Sequence, residues 1–154
     1  MSDEPTTKIK HEVATELLDW AIRSFLSGNG YYSALHLAGA AEEVFAVYLR
    51  APEYKLTPAN EEFTSLFLRI SQPSDQQERN KLSKWVGDRM NNPKNSVKHK
   101  RGHQDEFVEF DPVEEAADVI DRAISNYIQL LGKLPLRDLP SIHEFDVARH
   151  ETSC

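Results

Sequence analysis

Between Tyr31 and Arg50 the chain leaves almost no side of a helix polar: Ala34, Leu35, Leu37, Ala38, Ala40, Ala41, Val44, Phe45, Val47, Tyr48 and Leu49 crowd into this one segment. A helix that is apolar nearly all round needs neighbours over most of its circumference, so this segment is expected to be the central rod of a helical protein. Ala34, Ala38 and Ala41, with Gly39 beside them, let another helix approach closely, at some cost in helix propensity from the glycine. Pro52 marks the end of the rod.

Helical periodicity recurs in the rest of the chain, and almost nothing alternates with the period of two that a half-buried strand requires. The expected fold is all-α, an antiparallel bundle of four to five helices over residues 9–132, with a flexible start at residues 1–8 and an irregular tail at 133–154. Before the rod, Ile9, Val13, Leu17, Trp20, Ala21 and Phe25 make one apolar stripe, and Gly28, Asn29 and Gly30 turn the chain back into a helical hairpin. Thr57 and Pro58 read as cap and first residue of a short helix presenting Phe63, Leu66, Phe67 and Ile70. Ser74 with Gln77 resembles a capping box for the next helix, which offers Leu82, Trp85, Val86 and Met90 to the core. Asn92 and Pro93 interrupt that helix. Asp111, Pro112 and Glu114 start the last one, whose apolar stripe runs from Val113 through Ala116, Ile120, Ile124 and Tyr127 to Leu131, with Arg122 on its wet face. Leu134, Leu136, Leu139, Ile142, Phe145 and Val147 make the tail too apolar for a solvated one; it is expected to lie across the bundle or a partner subunit.

The 154 residues suit one domain with its own core. The only cysteine, Cys154, excludes an intramolecular disulfide and a thiolate-built zinc site, and no cofactor or metal is expected. His143 and His150, with acidic neighbours, have surroundings too irregular for a defined metal site. With no stretch of roughly 20 apolar residues and no basic, apolar leader, the chain reads as soluble and cytoplasmic, without membrane contact. A net charge of −7 argues against coating duplex DNA over a broad surface and leaves room for a local contact with one or two phosphates.

Against that acidic background, Lys94, Lys98, Lys100 and Arg101 stand with His99 and His103 in a stretch free of carboxylates. Such a block is either a solvated helix face or a phosphate-facing site. If Asn92 caps a helix that restarts at Pro93, Asn95 and His99 share a face, Lys94 lies beside them, and the new N-terminus offers free N–H groups to an anion. A neutral histidine there could take a proton from an attacking hydroxyl while lysine and amide donors stabilise charge growing on phosphorus, with no metal required. Lys98, Lys100 and Arg101 would contact further phosphates. Glu42 and Glu43, adjacent on the apolar rod, cannot both face water, and one buried carboxylate needs a cation from Lys94, Arg89 or His99. That carboxylate either orients His99 or Lys94, or simply fixes helix register. Asn126 is either a satisfied core amide or a member of the same cluster.

The spacing Lys94-Asn95-x-x-x-His99 resembles a relaxed HEPN motif, in which an arginine and a polar residue precede a histidine, and here lysine takes the arginine's place. The rod, with Tyr32-Ser33-Ala34 and Ala41-Glu42-Glu43, is similar to the central helix of that superfamily. The resemblance spans Ile9 to Leu131. It implies a helical bundle, often dimeric, that either cleaves RNA without metal or serves without catalysis in toxin–antitoxin or defence systems. Lysine lacks arginine's planar fork, which favours a binding-only member over a nuclease. A structural homodimer, joined through the small-residue face of the rod and the apolar tail, is the third expectation, and the tail is also a candidate contact for a protein partner.

Overall fold

Helix α2 (Tyr31–Leu49) is the rod the sequence predicts, with Ala34, Leu35, Ala38, Ala41, Phe45 and Leu49 fully buried in the computed structural model, which describes residues 5–151. Packed along it are α1 (Lys10–Leu26) and α5 (Pro112–Leu130), and the three together build one continuous apolar core. A second, shallower layer is the hairpin of α3 (Ala59–Ser71) and α4 (Gln76–Lys98). No strand occurs among the described residues, so the protein is all-α.

The helix ends follow local chemistry. Ser27 donates its backbone N–H to Arg23, and Gly28, at φ +78°, takes the left-handed turn that glycine adopts without a Cβ penalty. Asp111 caps α5 by accepting from the N–H groups of Val113 and Glu114, with Pro112 in the first turn. The cap of α4 sits one residue later than Ser74. Asp75 accepts from the Glu78 N–H at 2.8 Å, and the Glu78 carboxylate accepts from both Ser74 N–H and Ser74 Oγ at 2.7 Å. These Ser74 hydrogen bonds hold the Glu78 carboxyl below its usual range. Likewise Pro58, not Thr57, occupies the cap position of α3, and the first N–H of that helix is capped from a distance by α5, as Asn126 Oδ1 accepts from Ala59 N at 2.8 Å.

Three expectations are corrected. On α1 the buried face carries Ala14, Leu18, Ala21 and Ile22, while Ile9, Val13 and Trp20 are exposed. Two apolar stripes lie side by side on this helix, and the one with two alanines allows the closer approach to its neighbours. In the hairpin, Leu68 is the buried apolar residue of α3 while Phe63, Leu66 and Ile70 face outward, and of Leu82, Trp85, Val86 and Met90 on α4 only Val86 is buried, Trp85 being exposed. The tail is not irregular throughout: Ser141–Glu151 forms a sixth helix, α6. Of the flexible start, residues 1–4 lie outside the described region, as does Cys154, and Lys8 pairs with Glu16 at 2.8 Å.

A buried carboxylate explains why the tail folds back. Asp19 on α1 accepts from Ser141 Oγ at 2.6 Å, from Arg23 Nε at 3.2 Å and from an Arg137 guanidinium nitrogen at 3.3 Å. Burial pushes the Asp19 carboxyl up, but the bonds from Ser141 and Arg137 and the Arg23 charge outweigh it and hold it low. Tyr127 donates its hydroxyl to the Arg137 carbonyl at 2.7 Å, and buried Phe145 meets Phe25 edge-on at 5.2 Å. Leu139 and Phe145 thereby belong to the chain's own core.

Candidate functional site

Glu42 is the point on which the second layer turns. It lies on the buried side of α2 with 3% of its side chain exposed, and it accepts from Lys94 Nζ of α4 at 2.9 Å. Its other oxygen accepts from Arg122 Nε of α5 at 2.7 Å. Asn126, one turn further along α5, donates to the Glu42 backbone carbonyl at 3.3 Å while capping α3. Four helices thus meet through one carboxylate and one amide. A buried carboxylate demands this: desolvation costs several kcal/mol per ion unless cations and donors surround it.

The glycine in the rod belongs to the same arrangement. A Cβ on Gly39 would stand 2.9 Å from Lys94 Cδ, so a side chain there would push the lysine stem away from α2, where it now lies with its ammonium at Glu42. The sequence pairing of Glu42 with Lys94 and the placement of Asn126 in the same cluster are both found. Arg122 was assigned to the wet face, and its role was missed; that it stands four residues from Asn126, on one helical face, is the signal that could have found it.

The phosphate site expected around Lys94 takes a different form. α4 runs unbroken through Pro93, so no helix begins there and no free N–H groups are offered to an anion. His99 is instead the C-terminal cap of α4, its N–H donated to the Asn95 carbonyl at 3.1 Å. A helix C-terminus carries partial negative charge and favours cations in its last turn, which accounts for Lys98 and its basic neighbours without any phosphate. The cations are also paired internally. Lys98 reaches Glu43 at 3.4 Å, Glu43 itself is exposed, and Lys100 pairs with Glu106 and donates to the Asp105 carbonyl at 3.0 Å.

Asn95, His99 and Arg101 do come together, with Asn92, Ser96 and Asp105, around a notch of about 100 Å³. Asp105 accepts there from the Arg101 backbone N–H at 2.6 Å. Lys94 is not in this notch. Its ammonium is buried on the far side of α4, 5% exposed, so the pair that the motif would bring to one phosphate faces two different environments.

A larger cleft of about 430 Å³ lies where the hairpin meets α5, lined among others by Phe63, Met90, Arg89, Asp118, Arg122 and Ser125. Arg122 turns its Nε to Glu42, and its Nη2 is buried without a partner. Asp121, also on the rim, has its carboxyl pushed up by burial, partly offset by the Arg149 charge at 3.5 Å. Among the described residues no group of three or more His, Cys, Asp or Glu side chains is placed to hold a metal, and no helix is long and apolar enough to cross a membrane.

Compared with known proteins, the chain matches no family model, no curated protein and no solved structure.

Proposed function

We propose that this protein is a HEPN-like helical interaction module that does not cleave RNA, working in the stress, defence or toxin–antitoxin setting that the resemblance implies. One observation carries the reading: Lys94, at the position of the motif's essential cation, is buried and neutralised by Glu42. An ammonium held in that way cannot stabilise charge growing on a phosphate beside His99. His99 is left exposed at a helix end with Asn95 and Arg101, and the carboxylate that shares its notch, Asp105, accepts from the Arg101 backbone N–H. Of the three residues expected to grip further phosphates, Lys98 and Lys100 are engaged with Glu43 and Glu106. That engagement favours a protein partner over an RNA one.

The test is incubation of the purified protein with labelled single-stranded and structured RNA, with and without chelator, beside His99→Ala. The expected result is no cleavage by either protein. Chelator-resistant cleavage that disappears in His99→Ala would replace this reading with that of a metal-independent ribonuclease.

A further inference from the structure

Helix α3 is amphipathic in the wrong direction for a monomer. Its buried side contributes one large apolar residue, Leu68, while Phe63, Leu66 and Ile70, at helical spacing, stand 52%, 48% and 73% exposed. Beyond Phe67 the apolar surface continues onto α4, where Trp85 lies against the Phe67 ring at a centroid distance of 5.7 Å and is itself exposed. Contiguous exposed apolar surface of this kind, rimmed by charge, marks an association site.

The rim says what associates. Glu62 and Arg69 lie seven residues apart, on the same flank of the stripe, and both are exposed, with no ion pair to either among the described residues. Seven residues of helix put them about 10 Å apart, too far to pair with each other. When a helix packs antiparallel against a copy of itself about a twofold axis across its face, each flank meets the same flank of the copy, reversed end for end. With the axis between Leu66 and Phe67, Phe63 comes opposite the copy's Ile70. Glu62 then comes within about 3 Å, along the axis, of the level of the copy's Arg69, given the rise of a helix. Both pairs form at once, because the twofold repeats them.

We infer that α3 is a self-complementary docking surface through which two copies of this chain associate, with Phe63, Leu66 and Ile70 at the centre and two reciprocal Glu62–Arg69 pairs at the edge. The inference supplies the proposed interaction module with its first partner, itself, and it replaces the interface expected from the sequence. The small-residue face of α2 is buried within the chain, and the apolar tail covers its own core. One helix with the edge of a second is a small interface, so the expected dissociation constant is on the order of micromolar.

Sedimentation over a concentration series tests it. The unmodified protein should pass from monomer to dimer, and Ile70→Glu should stay monomeric, with helical content unchanged because Ile70 is 73% exposed in its own chain. Glu62→Lys alone and Arg69→Glu alone should each weaken the dimer about tenfold or more, and the two together should restore it, since the exchanged charges again face opposite ones. A protein that stays monomeric up to about a hundred times the micromolar range, a dimer indifferent to Ile70→Glu, or charge reversals that add instead of cancelling would each overturn the assignment. None of these outcomes depends on the RNA assay, so the two readings fail separately.

Discussion

The α1–α2–α5 core and the α3–α4 hairpin are built by different means. In the core, alanines let three helices approach closely and Leu18, Ile22, Leu35, Phe45, Ile120 and Leu130 fill the space between them, all fully buried. The hairpin contributes Leu68, Val86 and Pro93 as its buried apolar side chains, and what ties it down is a carboxylate, Glu42, shared by Lys94 and Arg122, together with the Asn126 cap on Ala59. Apolar packing tolerates small adjustments and scales with area. A buried ion pair contributes little net stability but fixes geometry, because any other arrangement leaves a charge stranded. The contrast teaches that the hairpin is positioned more firmly than it is stabilised.

The largest expected effect falls on the core. Phe45→Ala should cost about 4 kcal/mol and lower the denaturant midpoint for core and hairpin alike, since no element survives loss of the rod. Glu42→Gln should cost about 3 kcal/mol by leaving buried Lys94 with only the exposed Glu43 carboxylate, 3.7 Å away, as its counter-charge, a loss read in the denaturation curve and much smaller in Glu43→Gln. Leu68→Ala removes the one buried apolar contact of α3 and should cost about 2 kcal/mol, with a smaller change in the slope of the unfolding curve if the hairpin opens first. The smallest effect concerns the tail. Asp19→Asn should cost about 1 kcal/mol near neutral pH. Because the folded state holds the Asp19 carboxyl below its ordinary value of 3.8, its contribution is present above that value and is lost as pH falls through the lower folded one. Stability curves of the two proteins should therefore converge in acid, and a constant gap at all pH values would contradict the clamp.

How much of this was legible in the sequence differs between the two regions in the same way. The rod, the middle of the α5 stripe from Ala116 to Tyr127 and the Asp111 cap were readable because an all-apolar helix and a strong periodicity admit one placement, whereas Val113 and Leu131, at the ends of that stripe, are exposed. The buried face of α1 was not, since Leu17 and Leu18 belong to adjacent stripes and only the neighbours decide between them. The pairing of Glu42 with Lys94 was legible as a demand, a carboxylate on an apolar rod in need of a cation. Arg122 was hidden because an arginine among Asp118, Asp121 and Ser125 reads as solvated. The basic segment misled for a physical reason. Proline after asparagine is a common helix start, and here the helix passes through it, turning an expected N-terminus into a C-terminus and reversing the sign of the charge it favours.

The central claim is that Glu42 holds the hairpin in place while leaving the core to hold itself, and residue-resolved hydrogen exchange on Glu42→Gln tests it most directly. The account predicts that amides of α3 and α4 lose protection by an order of magnitude or more while those of α1, α2 and α5 still exchange together at the slowest rate. Equal loss across all of these helices, or no loss in the hairpin, would contradict it.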